Sequence, residues 1–225
     1  MSVFRVTRSA VLLLTSFLPA AALAQTESKG VYVTAYGQVS RIGASTFTES
    51  GARGAGAGVQ ARFGRGLGGG GDVGYRFGNG WAAEVEWNYR SHALTSLRQG
   101  TTTLAQDGDF ASNIVLVNGV RRFPSTRAWT PYVGAGLGVV LEVDLDLKPA
   151  SNGGSRAYSS SGRVAPQLMG GVEYALTPTW RLITDARWLR AGAVSADNAT
   201  GNSGGSVQSP RYNPLSVQVG VRYGF

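Results

Sequence analysis

From Gly30 onward, apolar residues recur at every second position in stretches separated by segments rich in Gly, Ser, Thr and Asn. A two-residue period puts successive side chains on opposite faces of an extended strand, and no helical stripe competes with it. The C-terminal stretch is the cleanest case. Leu215, Val217, Val219, Val221, Tyr223 and Phe225 share one phase; Ser216, Gln218, Gly220, Arg222 and Gly224 share the other. The stretch from Trp81 repeats the pattern, with Trp81, Ala83, Val85, Trp87 and Tyr89 opposite Ala82, Glu84, Glu86, Asn88 and Arg90. The pattern predicts strands over 30–41, 67–78, 81–92, 110–123, 129–145, 162–176, 180–191 and 213–225. In the fourth of these, Ile114, Leu116 and Val120 compete with Val115, Val117 and Phe123 for the apolar face, and the phase stays open.

Alternation alone suits two architectures. In a soluble sandwich the apolar face meets a shared core, whereas in a membrane barrel it meets lipid and the polar face fills the interior. Strand length separates them. Most of these stretches reach the roughly 9–11 residues of a tilted membrane strand and exceed the soluble mode of about 5–6. The connections also alternate. Long ones at 42–66, 93–109, 146–161 and 192–212 are interleaved with Gly78-Asn79-Gly80, Pro124 to Ala128 and Thr177-Pro178-Thr179. Long loops on one side and tight turns on the other mark an outer-membrane barrel, and eight strands bring both termini to the short-turn, periplasmic side. Phe77, Trp81, Phe123, Trp129, Trp180, Tyr223 and Phe225 gather beside the short turns as an interfacial girdle.

Composition agrees. Of 225 residues only 15% are charged while 33 are glycine, a balance for short punctuated strands in one domain. Arg5 and Arg8, the apolar run from Ala10 to Leu18 and the small-residue site Ala22-Leu23-Ala24 before Gln25 form a secretory leader over 1–24, leaving 25–225 as the barrel domain. The run is too short to span as a helix. Losing Arg5 and Arg8 lowers the formal net charge from +8 to +6, a balance that invites anionic partners and is also met by dispersed surface charge with no specific ligand. In an exported protein the anion to expect is a membrane phosphate, such as lipopolysaccharide, and not nucleic acid. With no cysteine, neither disulfides nor thiolate metal sites supply rigidity; closing the sheet does, by pairing every edge.

The terminal run Val217-Gln218-Val219-Gly220-Val221-Arg222-Tyr223-Gly224-Phe225, ending on an aromatic, resembles the assembly signal of bacterial outer-membrane proteins, with Tyr223 and Phe225 as its aromatic positions. With Thr130-Pro131-Tyr132-Val133-Gly134-Ala135-Gly136-Leu137-Gly138 it resembles the small outer-membrane β-barrel superfamily of the OmpA transmembrane domain, OmpX and opacity-type surface antigens. The resemblance covers the whole mature chain. It implies an all-β, eight-stranded antiparallel up-and-down transmembrane β-barrel, inserted by the outer-membrane assembly machinery and carrying variable surface loops. It does not imply one activity, because this layout serves structural proteins, adhesins, complement evaders and lipid A-modifying enzymes. Unlike full-length OmpA, the chain has no peptidoglycan-binding domain after Phe225, so a cell-wall tether is not expected.

If the apolar phase faces lipid, the interior receives Asp72, Arg76, Glu84, Glu86, Arg90, Glu142, Arg163, Glu173, Arg181, Asp185, Arg187 and Arg222. An eight-stranded lumen is narrow enough for side chains to fill, so these charges are expected to pair into a plug. The competing readings are a gated ion path, with a narrow channel for small solutes as its consequence, and an acid/base site in which paired carboxylates such as Glu84 and Glu86 perturb each other's protonation. His92, the lone histidine, is the one obvious general base, but Arg90-Ser91-His92-Ala93-Leu94 does not resemble the motif of lipid A esterases on this fold. Gly64-Arg65-Gly66-Leu67-Gly68-Gly69-Gly70-Gly71-Asp72 is followed by a strand, which excludes a nucleotide loop, and it does not repeat as calcium nonapeptides do. Its glycines are expected to permit bending and close approach of strands. Asn198-Ala199-Thr200 matches a glycosylation acceptor of little weight in a chain with bacterial features. No cofactor is expected. The loops, with 192–212 and much of 42–66 exposed and mobile, are the expected contact with lipopolysaccharide, host molecules or neighbouring cells.

Overall fold

Alternating residues close into a ring when the last strand finds the first. In the computed structural model, β1 (Gly30–Arg41) pairs antiparallel with β13 (Leu215–Gly224) from Tyr32↔Gly224 to Arg41↔Leu215. The wall runs from β1 through β3 (Val59–Arg76), β4 (Trp81–Gln99), β6 (Gln106–Arg122), β7 (Trp129–Pro149), β9 (Arg163–Ala175) and β10 (Trp180–Leu189) to β13. Each strand is antiparallel to its neighbours. Closure leaves no edge in this eight-stranded ring, so every strand has a partner on both sides, as a lipid-spanning sheet requires. The structure describes residues 29–43, 45–50, 59–99, 102–104, 106–123, 128–149, 156–160, 162–191, 194–198, 206–209 and 212–225. The leader expected over 1–24 and most of the turn at 124–128 lie outside the described residues.

The short turns are built from their own chemistry. Gly78 and Gly80 adopt φ values of 78° and 84°, a region that disfavours side chains, and let Phe77 N–H donate to the Trp81 carbonyl at 2.9 Å. At the third turn the Thr177 hydroxyl accepts from the backbone N–H of Trp180 at 2.9 Å, and Leu176 N–H reaches the Trp180 carbonyl at 3.0 Å.

The opposite end departs from expectation. Within the stretches expected to be long loops, the chain forms β2 (Ser45–Ser50), β5 (Thr102–Leu104), β8 (Arg156–Ser160), β11 (Val194–Asn198) and β12 (Ser206–Ser209). Where β1, β9, β10 and β13 end, the pairings β3–β2, β2–β12, β12–β11, β11–β8 and β8–β7 carry the wall onward. These segments are poor in alternating apolar residues, so periodicity did not reveal them; backbone ladders hold them.

Outward positions are apolar through the ring, with Val85, Leu137 and Val219 more than half exposed, and the inward positions are buried. Trp180, Tyr223 and Phe225 pack ring to ring with centroids 5.0 Å apart at the short-turn end, and Trp129 lies 4.6 Å from Tyr174. Among the described residues no helix is long and apolar enough to cross a membrane; here strands do so.

Candidate functional site: the charged lumen

The inward face of β3 carries Gly66, Gly68, Gly70, Asp72, Gly74 and Arg76, almost without side chains. That emptiness has a use. The Tyr32 ring lies where a Cβ on Gly74 would stand, and the Tyr36 hydroxyl lies 2.6 Å from a Cβ position on Gly70. Glycine on β3 thus admits two large side chains from β1 into a narrow lumen.

Glu86 on β4 is fully buried near the middle of the barrel. One carboxylate oxygen accepts from Tyr36 Oη at 2.5 Å and from Asn88 Nδ2 at 3.3 Å. The other accepts from Asn118 Nδ2 at 2.8 Å, from Gln167 Nε2 at 3.2 Å and from Arg187. Arg187, from β10 across the lumen, also donates through Nε to Asp185 at 2.8 Å, and Asp185 accepts from Tyr132 Oη at 2.6 Å. Both lone pairs of each oxygen are engaged, so a charge that is costly to bury alone is matched on every side.

A second node sits at the short-turn end. Glu173 on β9 accepts from Arg122 and Arg181 on one oxygen and from Arg222 at 2.5 Å on the other. Arg222 bridges onward to Glu84 at 2.8 Å and to Thr34 Oγ1 at 2.8 Å, and lies 3.7 Å from Asp72, which accepts from Thr34 Oγ1 at 2.8 Å. Tyr32 Oη donates to Glu84 at 2.6 Å, and the Arg222 guanidinium stands 4.2 Å from the Tyr32 ring centroid.

Of the twelve charges expected inside, the structure places Asp72, Arg76, Glu84, Glu86, Arg90, Glu173, Arg181, Asp185, Arg187 and Arg222 in the buried interior. Arg90 donates through Nε and Nη2 to Asn88 Oδ1, at 3.0 and 2.7 Å, and meets no carboxylate among the described residues. Glu142 is a correction: it is exposed. Asn113 pairs with Glu142 while the next residue, Ile114, pairs with Val140, so Leu141 is an extra residue in β7. That β-bulge breaks the alternation that carried Glu142 inward. Arg163, at the outward end of β9, is half-buried and joins no ion pair among the described residues.

Sequence reasoning missed Arg122, because the phase of its strand was open; once Ile114, Leu116 and Val120 are inward, alternation brings Arg122 in with them. It also missed Tyr32, Tyr36 and Tyr132, whose apolar rings conceal the hydroxyls that donate to the acids. β4 continues past His92 to Gln99. His92 is fully buried, with Nε2 2.9 Å from Ser40 Oγ. Toward the outward end the lumen becomes apolar: the Phe110 ring lies 5.0 Å from Tyr212 and 5.5 Å from Phe63, beside buried Leu94. Among the described residues no three His, Cys, Asp or Glu side chains are placed to hold a metal ion.

The model of the outer membrane protein β-barrel domain matches residues 10–225. The chain belongs to that family. Its setting is therefore the bacterial outer membrane. Among solved structures, OprG from Pseudomonas aeruginosa matches at 18% identity with a TM-score of 0.61, over 87% of this chain and 96% of its own. Neisserial surface protein A matches at 18% identity and 0.54, over 87% and 97%. A major outer membrane protein from Thermus thermophilus matches at 12% identity and 0.53, over 86% and 99%. At these identities the likeness speaks for the fold. A search of curated proteins gives no match.

Proposed function

We propose that the protein is a structural and surface-interaction component of the outer membrane, a closed barrel that holds strand-extended hairpins against lipopolysaccharide, host molecules or neighbouring cells. One observation carries this reading: inward side chains fill the lumen from the Phe110–Tyr212 contact at one end to the Glu173 arginines at the other. A barrel filled in this way turns its large partners, membrane and macromolecular, to the outer surface. No catalysis is required, and the burial of both His92 and Ser40 supports a non-enzymatic role. Residues 1–24 serve as the cleaved leader, and Tyr223 and Phe225 as the signal for the assembly machinery.

Two measurements on the folded protein test the reading. In planar bilayers, a barrel whose closure is verified by its heat-modifiable gel mobility is expected to show no steady conductance. Vesicles containing lipopolysaccharide are expected to bind it more strongly than vesicles without. Steady conductance that changes in Glu84→Gln or Arg90→Gln would replace this reading with a narrow solute channel. Loss of a lipid A ester that depends on His92 would replace it with an enzyme.

A further inference from the structure

Among the described residues the lumen holds six buried arginines and five buried carboxylates, and the surplus is not spread evenly. Arg122, Arg181, Arg187 and Arg222 each meet an acid. Arg90 does not, but its Nε and Nη2 are both taken by Asn88. Arg76 differs from all of these. It is only 4% exposed, its Nε and Nη2 have no hydrogen-bond partner, and its described contact is with the Tyr32 ring, 4.6 Å away, beside which Arg222 also stands. The acid of this layer, Glu173, is already occupied by three other guanidiniums.

The unpaired atoms are informative. Nε and Nη2 form the edge of the guanidinium with two parallel N–H groups, spaced to meet two oxygens of one oxyanion. Arg76 is the last residue of β3, next to the turn that begins at Phe77, so its side chain stands at the short-turn end of the lumen. Arg76, Arg122, Arg181 and Arg222 outnumber Glu173, Glu84 and Asp72 around them, and a net positive cluster walled by low-dielectric protein focuses its field on an anion. We infer that Arg76, with the arginines gathered on Glu173, forms a binding site for a small soluble oxyanion at the short-turn end of the lumen. Binding requires the Arg76 side chain to swing off Tyr32 and meet the anion in bidentate fashion.

Inorganic phosphate is the probe. The folded protein in detergent is titrated at constant ionic strength, chloride being exchanged for phosphate, while the 31P linewidth and the temperature of the folded-to-unfolded gel shift are read. The expected result is a saturable broadening and a saturable rise in that temperature, since a ligand of the native state stabilises it. Both are expected to persist in Arg90→Gln and to vanish in Arg76→Gln. Arg76→Lys, which keeps the charge but not the fork, is expected to need at least tenfold more phosphate, and it provides the comparison if Arg76→Gln does not close. Absence of saturation in the native protein overturns the site, and so does an equal response in the Arg76 variants.

Discussion

Strands β4 and β6 lie side by side, and two fully buried residues that face each other in register, Glu86 and Leu116, have opposite chemistry. On β4 the inward positions between Glu84 and His92 are Glu84, Glu86, Asn88, Arg90 and His92; on β6 the run includes Phe110, Ile114, Leu116 and Val120. Both strands present apolar residues outward. The difference shows that lipid constrains only the outer phase. The inner phase is a packed core, where a carboxylate and a leucine are equally at home if each finds its complement. Glu86 has Arg187 from across the lumen, and Leu116 has the bare backbone of Gly138 on the next strand, where a Cβ would stand 2.7 Å from Leu116 Cγ.

The comparison breaks first at its charged member. Glu86→Ala leaves Arg187 without its partner across the lumen and is expected to destabilise the barrel by about 3–5 kcal/mol, read from urea unfolding in detergent. Leu116→Ala leaves a cavity beside Gly138, and the same measurement should show a loss of about 2–5 kcal/mol without any change in salt dependence. On the outer face of β6, Val117→Arg places a charge in lipid, with an expected cost of about 2–4 kcal/mol and reduced recovery of folded protein from membranes. Folding equal to the native protein would reverse the facing assigned to β6. Overpacking is milder: Gly138→Ala should cost about 1–3 kcal/mol, and somewhat less in a Leu116→Ala background, which removes the contact with the Leu116 side chain and leaves the one with the Val115 carbonyl. Smallest of all, Glu142→Gln on the exposed side of the Leu141 bulge should change stability by less than about 0.5 kcal/mol.

What could be read in advance follows the same division. β4 and β13 alternate cleanly because their inward residues are polar, so the lipid phase stands out. In β6 both phases are apolar over Ile114 to Val117, and Arg122 went unplaced as a result. In β7 the alternation is clear up to Val140 and then misleads, because a single extra residue exchanges the faces and leaves no mark in composition. The rim strands escaped detection for a third reason: they are short and their residues do not alternate between apolar and polar.

By itself, the sequence determined the number of wall strands, their antiparallel order, the short turns and the lipid-facing residues of the strands other than β6 and the far end of β7, because a two-residue period and the demand for apolar side chains in lipid act locally. The tertiary structure alone decided that Glu86 meets Arg187, 101 positions away, that Arg122, Arg181 and Arg222 converge on Glu173, and that glycines of β3 make room for Tyr32 and Tyr36. Those outcomes depend on the register between strands distant in the chain and on the width of the closed ring, and neither is encoded in the spacing of residues along any one strand.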